Sequence, residues 1–582
     1  MSPVLEVVCH LPMGYERDAL EGKLSHADDR VHLDPGGPPQ VGVAPHLRIG
    51  KRWFNTVWLI PLGAVLLVAG IAISQKLRSY PAVEQFIAHY PGTPASAPVV
   101  RSGFPVWLRW QHFLNLFFLM FIIRAGIQIL ASHPRLYWGR DSTPDTEWLR
   151  FQHEVPKDRV WTAKNDAVAL PSFVGLPGPR SSIGLARWWH FSFDLFWLIN
   201  GAIFYVLLSA TDQWQRIVPT SWEAFPNALS TQLQYLSLRF PANEGWLRYN
   251  SLQQLAYFVT VFIAAPLAVF TGLMQGPAIG NKLGWLGRTF HRQLARSIHF
   301  LVLCWFLLFI CAHVAMVLAT GVRENINHMF YGVDSGGAEG LWIAAVALTV
   351  VFIAWIWASP FTLRNARLVQ RIGRMLVGHG WAEAWDVSTQ YTEGDISPRL
   401  WTNGALPVSE EFNSLLKRGF SEYKLRVGGL VEEPRELSYA QIKAMPKKEQ
   451  ITCHFCVQGW SGVAKWAGVP MRHVLDLVKP KPEAKYVVFY SFADGDEGGR
   501  YYDVHLIHNM RHELSLLAYE MNGQPLSVPY GAPLRLRCEN ELGFKMVKWI
   551  EAIEFVESFD HLGAGQGGYH EDHEFFGYRM PI

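Results

Sequence analysis

"RSIHFLVLCWFLLFICAHVAMVLATG", residues 296–321, is apolar for long enough to cross the roughly 30 Å hydrocarbon core of a bilayer as one helix, yet it holds two histidines. Ionisable side chains inside a span are costly in lipid and are functional candidates by default. His299 and His313 stand 14 residues apart. At about 3.6 residues per turn that is close to four turns, so both project from nearly one face, roughly 21 Å apart along the axis. One imidazole then lies in each leaflet, which suits two haems stacked across a membrane.

Working outward, five more stretches are long and apolar enough to span, near 53–74, 106–131, 187–208, 253–274 and 340–358, with the quoted run at 296–319. Pro61 and Pro266 lie within spans, which membrane helices tolerate. An even number of spans places both termini on one side, side A. Lys and Arg concentrate there: Arg48, Lys51 and Arg52, then Arg135, Arg140, Lys157, Arg159, Lys164 and Arg180, then Lys282, Arg288, Arg292 and Arg296, then Arg364, Arg367, Arg371 and Arg374. Side B carries Lys76, Arg78, Arg101, Arg216, Arg239, Arg248 and Arg323. The positive-inside rule makes side A cytoplasmic, together with the C-terminal region. The first 50 residues carry neither the apolar core of a secretory signal nor a twin arginine, so no cleaved export signal is expected.

The topology supplies partners for both histidines. His112, in "WLRWQHFLNLFF", falls at the depth of His313, and His190, in "ARWWHFSFDLFW", falls level with His299. The expected pairs are His190 with His299 on side A and His112 with His313 on side B. Bis-histidine ligation leaves no open position on iron and favours electron transfer. A single histidine near a helix end is usually interfacial; four at matched depths are not explained that way. Cys304 and Cys311 read as small apolar residues. Arg187 and Arg296, near the ligands, are either propionate partners or markers of the charge bias. On this histidine pattern, residues 50 to 375 resemble the b-type cytochrome membrane subunits of bacterial respiratory oxidoreductases. The resemblance implies electron exchange between a quinone and a soluble catalytic unit. The net charge of +3 and the placement of basic clusters beside apolar runs give no reason to expect a nucleic-acid partner.

After "RNARLVQRIGRML" (364–376) the apolar runs shorten and become strand-like: "EYKLRVGGLV", "KYVVFYSF", "LLAYEMNG", "PLRLRCEN" and "VKWIEAIEFV", with short helices expected in "SYAQIKAM" and "VPMRHVLDLV". This is an α+β domain. Six cysteines in 582 residues make no disulfide framework, but Cys453 and Cys456 form a CxxC, "CHFC". A structural zinc site wants a second pair of ligands, and no second CxxC exists. A thiol–disulfide pair wants a strand-to-helix junction that is not evident. Covalent haem needs histidine where Val457 stands. A single thiolate ligand to a soft, high-valent metal remains, with zinc and thiol exchange as alternatives.

The segments "CVQGWSGVAKWAGVPM", "LLAYEMNGQPL", "YGAPLRLRCENELGFKMVKWIEAIEF" and "GQGGYHEDHEFFGYRMPI" together resemble the sulfite-oxidase-fold molybdopterin enzymes, most closely the bacterial branch that contains the methionine sulfoxide reductase catalytic subunit. The resemblance covers residues 400 to 582. It implies that Cys456 ligates molybdenum and Cys453 does not. It further implies that Arg535 with Gly543, Phe544 and Lys545 anchors the pterin phosphate, with Lys548 adding charge and Asn403 and Ser491 making polar contacts. Charge-assisted bonds and glycine-permitted backbone approach suit a phosphate. Tyr530 departs from the His or Asn of relatives and points to an altered pterin or substrate contact. No arginine follows Cys456 immediately, which leans towards an oxide substrate rather than sulfite. The acidic and histidine-rich tail, His570 to Glu574, is expected to dock against the membrane domain or a partner rather than to bind a metal.

The whole then reads as a six-helix transmembrane b-type cytochrome bundle followed by an α+β sulfite-oxidase-fold molybdopterin domain. The expected divisions are an N-terminal segment 1–51, a di-haem domain 52–375 and an oxidoreductase domain 376–582. The expected activity is reduction of a small S-oxide or N-oxide, with electrons passing between quinone, two b haems and molybdenum. The alternatives are sulfite or other oxidation feeding quinone, and a conduit or thiol-exchange protein without molybdenum.

Overall fold

The computed structural model describes residues 44–156, 161–178, 183–241, 245–378 and 391–582. Most of the expected N-terminal segment, together with Lys157, Arg159 and Arg180 of the charge count, lies outside the described residues.

Six helices among the described residues are long and apolar enough to cross a membrane: Thr56–Leu77, Val106–Ala131, Ile183–Ala210, Ser251–Met274, Arg292–Ala319 and Glu339–Arg364. We number them as spans one to six. Their outward faces are apolar, as lipid requires: in span one Ile60, Val65, Leu66 and Val68 are all exposed. Spans three, five and six run several residues beyond their expected ends at side A, in spans five and six with polar and charged residues such as Arg292, Gln293, Thr362 and Arg364. Span four changes to π-helix over Val259–Ala264 just before Pro266. The wider turn accommodates a proline that has no N–H to donate.

The C-terminal region is built on two five-stranded sheets. In the first, Ile550–Val556 is central, parallel to Lys424–Gly429 and antiparallel to Tyr486–Asp494. In the second, Lys448–Phe455 and Ser461–Pro470 form a hairpin whose second strand pairs with Ser515–Met521. Arg535–Cys538 joins the other side of Ser515–Met521. The expected short helices form at Tyr439–Ala444, closed by a Ser438 and Gln441 capping box, and at Met471–Val478.

One hydrophobic core runs through both sheets and continues into Val155, Trp161, Ala163 and Ile183 of the membrane half. The two halves are therefore packed together rather than tethered. Trp401 donates to the Ser142 carbonyl at 2.6 Å, and the Ser142 N–H donates to the Ser461 carbonyl at 2.9 Å. The tail docks on span three and on the helix Ala366–Val377. Trp188 donates to the Phe575 carbonyl at 2.8 Å, and Gln370 donates to the carbonyls of Glu571 and Phe576 at 3.0 and 2.7 Å. Gly184 lies so close to the Glu574 carbonyl that an added Cβ would stand 2.3 Å from it.

Candidate functional site

Cys456 sits at the tip of the hairpin 448–470, in the five-residue connection between Phe455 and Ser461. The turn is tight: the Cys456 N–H donates to the Trp460 carbonyl at 3.1 Å and the Gly459 N–H to the Cys456 carbonyl at 3.1 Å. Gly459 has φ +107°, a conformation that side chains disfavour. The Asn403 amide lies 3.6 Å from the Cys456 sulfur and donates to Gln458 at 2.6 Å. Burial pushes the Cys456 thiol up to about 11. A metal cation reverses such a shift, because a coordinated thiol is deprotonated outright. Cys453 lies within the strand, buried, its thiol pushed up to about 12 chiefly by burial, and both cysteines are free. A strand and a hairpin tip give neither thiol the helix N-terminus that activates redox pairs.

Around this tip the structure gathers cations with few counter-charges. Arg535 is buried, its Nη1 donates to the Tyr530 carbonyl at 3.0 Å, and its Nε has no acceptor. Lys548 donates to the carbonyls of Asn403 and Pro529. Burial, with Arg537 beside Arg535 and Arg535 beside Lys548, holds both well below their ordinary values. Arg535 and Arg537 lie 4.8 and 4.4 Å from the ring of fully buried Trp466, whose π face attracts both cations. Arg537 is neutralised by Glu539 at 2.8 Å. Arg535 and Lys548 meet no carboxylate among the described residues. Gly543 approaches His454 so closely that a Cβ would stand 2.2 Å from its Nε2. Orphaned buried groups on Arg535 and Asn403, the glycine cradle and uncompensated positive charge together fit an anionic, phosphate-bearing pterin.

Four sequence expectations stand differently. The Lys545 amine is buried and held by Asp503 and Glu571, so it is not offered to the pocket. Ser491 donates to the Lys548 carbonyl at 2.8 Å and so braces that residue from behind. The Tyr530 hydroxyl donates to the Leu400 carbonyl at 2.8 Å, tying down the segment that leads to Asn403. Phe544 packs on Phe576 at 4.7 Å, against the docked tail, and its carbonyl accepts from Tyr501. Lys545→Met would leave two buried carboxylates facing each other. It is expected to lower stability by about 3 kcal/mol or more, read as a lower melting midpoint of the purified protein. Loss of molybdenum without a change in melting would instead show that the amine serves the cofactor.

In the membrane half, His190 and His299 have ring centroids 6.4 Å apart, and His112 and His313 have theirs 6.2 Å apart. An iron between two imidazoles, with metal–nitrogen bonds of about 2 Å and ring nitrogens roughly 1 Å from the ring centres, needs about this spacing. The outer nitrogens are held from behind. His190 Nδ1 faces the Ile122 carbonyl at 3.0 Å, His299 Nδ1 faces Thr271 Oγ1 at 3.0 Å, and His313 Nδ1 faces the Tyr257 hydroxyl at 3.3 Å. Such partners leave Nε2 for ligation in His299 and His313, while His190 Nε2 lies 3.6 Å from Asp194 Oδ2 on the next turn of the same helix. Tyr257 and Thr271, both on span four, are 14 residues apart, like the histidines they face. Gly126 leaves room for His190, since a Cβ there would stand 3.1 Å from its ring. The residues fit two haems.

Sequence reasoning missed the arginines that the membrane half sends to the hairpin tip. Arg292 donates to the Cys456 carbonyl at 2.9 Å, Arg187 to the Val457 carbonyl at 3.4 Å, and Gln293 to the Gly459 carbonyl at 2.9 Å. Arg296 donates to the His133 carbonyl at 3.0 Å and lies beside Gly459. Arg187 and Arg296 therefore serve the interface, where the sequence suggested propionates or charge bias. A usable signal existed: Arg292, Arg296 and His299 are spaced by four and three, on one helix face.

Residues 413–561 match the family described as the oxidoreductase molybdopterin binding domain, and residues 103–332 match the prokaryotic cytochrome b561 family. A protein-methionine-sulfoxide reductase catalytic subunit of Xanthomonas axonopodis is 40% identical over 147 residues, 24% of this chain and 46% of that protein. A putative protein-methionine-sulfoxide reductase subunit of Azospira oryzae is 35% identical over 152 residues, 26% of this chain and 53% of that protein. The chain thus spans about half the length of these relatives. The uncharacterized oxidoreductase YuiH of Bacillus subtilis is 31% identical over 180 residues, 30% of this chain and 87% of that protein.

Proposed function

The chain belongs to the molybdopterin-binding oxidoreductases and carries a cytochrome b561 membrane domain, and from that premise we propose that it moves electrons from a quinol, through two b haems, to reduce a small S-oxide or N-oxide at Cys456. The observation that carries this reading is the 2.9 Å bond from Arg292 to the Cys456 carbonyl. Arg292 opens the helix that holds His299 and His313, so the Cys456 turn lies about 10 Å along that helix from the nearer histidine. One rigid element joins the two redox regions. The names of the methionine sulfoxide reductase relatives support the oxide, and a Cys456 that is only 4% exposed beneath two membrane helices supports a small substrate.

Molybdenum on its pterin, when bound, supplies two-electron oxygen-atom transfer. Cys456 offers the thiolate ligand, Asn403 positions that sulfur, and Arg535 and Lys548 bind the phosphate. His190 with His299, and His112 with His313, would each hold one haem iron. The net change is R₂SO + 2 H⁺ + 2 e⁻ → R₂S + H₂O, with the electrons and protons released by quinol oxidation. Anaerobic, quinol-reduced protein is expected to show haem reoxidation on mixing with methionine sulfoxide, dimethyl sulfoxide or trimethylamine N-oxide. Haems that stay reduced with all three, in protein that contains molybdenum, overturn the reading. A second reading, sulfite-type oxidation feeding quinone, is favoured by Arg187 and Arg292. It predicts that sulfite reduces the haems of oxidised protein.

The Lys and Arg bias supports a cytoplasmic Cys456 domain, and protease added to intact cells is then expected to spare it. Thr271 Oγ1 donates to the Leu267 carbonyl and so accepts from His299. Such a bond raises ligand basicity and favours ferric iron. Thr271→Val is expected to raise the midpoint potential of one haem and leave the other in place, as read by spectroelectrochemical titration. Equal shifts in both haems, or none, contradict the assignment of Thr271 to the His299 haem.

A further inference from the structure

We propose that the pocket at Cys456 is shared between the two halves of the chain: Arg292 and Arg187, from the side A ends of spans five and three, form a subsite for an anionic, oxygen-bearing group of the substrate. The proposal rests on the molybdenum reading of Cys456 but not on the direction of the reaction.

Arg292 is only 8% exposed. One of its nitrogens is satisfied by the Cys456 carbonyl, while its Nε is buried without an acceptor. Arg187 reaches the Val457 carbonyl at 3.4 Å, lies 5.1 Å from the Phe191 ring, and likewise has a buried Nε without an acceptor. Among the described residues, neither guanidinium lies within 4.0 Å of a carboxylate. Glu574, the acidic group that acts on the Cys456 thiol, is engaged by His570 at 3.3 Å. Two buried guanidiniums beside one sulfur, each with a donor to spare, are an electrostatic deficit that a bound anion offsets.

These arginines are not redundant with the phosphate anchors. Arg535 and Lys548 hold the carbonyls of Tyr530, Asn403 and Pro529, all within the C-terminal half. Arg187 and Arg292 hold the carbonyls of Cys456 and Val457 themselves, at the residue that faces the reacting atoms. Arg296, a turn further along span five, is consumed by His133, Arg135 and Gln293 and does not belong to the subsite. No arginine follows Cys456 immediately in sequence, and the two that reach its turn come from the membrane helices.

The anionic group has two possible sources: an oxyanion such as sulfite, whose own oxygens meet the arginines, or a carboxylate carried by the substrate, as in free methionine sulfoxide. Neutral dimethyl sulfoxide lacks both.

The test uses full-length detergent-purified protein with Arg292→Gln, Arg187→Gln and the charge-retaining Arg292→Lys. Molybdenum and pterin content, sulfate affinity by calorimetry, and KM for sulfite, methionine sulfoxide and dimethyl sulfoxide are read for each. We expect unchanged molybdenum and pterin, sulfate affinity weakened roughly tenfold in both glutamine variants, and a smaller loss in Arg292→Lys. The KM of whichever anionic substrate is used should rise about tenfold more than that of dimethyl sulfoxide. Sulfite or methionine sulfoxide as the affected substrate identifies the source. Pterin lost in step with the substitutions would make the arginines cofactor anchors and overturn the proposal, as would equal effects on charged and neutral substrates. Wild-type protein without molybdenum would instead sink the underlying reading of Cys456.

Discussion

Cys456→Ser is expected to reduce substrate-driven haem oxidation roughly a thousandfold or more, whereas Cys453→Ser keeps it within a few-fold of wild type. The contrast follows from position. Cys456 is at the hairpin tip with Asn403 at 3.6 Å, while Cys453 is enclosed in a strand and paired across the sheet with Val463. The measurement is anaerobic stopped-flow absorbance at the haem bands, with haem content as an internal control. Both visible bands should persist in Cys456→Ser, because the four histidines are untouched. Equal losses in the two variants would favour thiol–disulfide exchange, in which neither sulfur acts alone.

The second large effect concerns the number of haems. His299→Ala should remove one haem and His313→Ala the other, each halving the haem per protein measured by the pyridine haemochrome. Their consequences differ. Without the His299 haem, the remaining histidine pair lies roughly 21 Å further along the helix, and transfer to the Cys456 region should become too slow to support turnover. His313→Ala should still let chemically reduced protein deliver electrons to substrate, while blocking quinol-driven reduction from side B. A protein that retains full haem content in either variant, or loses both haems in each, would overturn the two-pair assignment.

Much of the membrane half was legible in sequence because lipid imposes a simple rule on each residue. Every backbone group must be satisfied within its own helix, so a span declares itself by length and apolarity alone. The 14-residue spacing of His299 and His313 then fixes depth, and the alternation of spans brings His112 and His190 to matching levels. The π-helical turn before Pro266 was not legible, since its cause is local backbone geometry. In the C-terminal half the alternating runs announced strands, and the ordered motifs around Cys456 and Arg535 announced a family. Lys545 shows the limit of motif reasoning. Its neighbour Gly543 lies against His454, yet its own amine is taken by Asp503 and Glu571, which come from distant strand and tail positions.

The sequence by itself determined the six spans, the depth-matched histidines, the strand-rich domain that follows and the singling out of Cys456. Each of these depends on local periodicity or on a short ordered motif. Only the tertiary structure decided that the hairpin tip carrying Cys456 is pressed against spans three and five, that Arg187 and Arg292 complete its surroundings, and that Tyr530, Ser491 and Lys545 are committed to internal partners. The physical reason is one of range. A helix or strand is specified by neighbours a few residues apart, whereas Arg292 and Cys456 are 164 residues apart and meet only because two separately specified halves share one core.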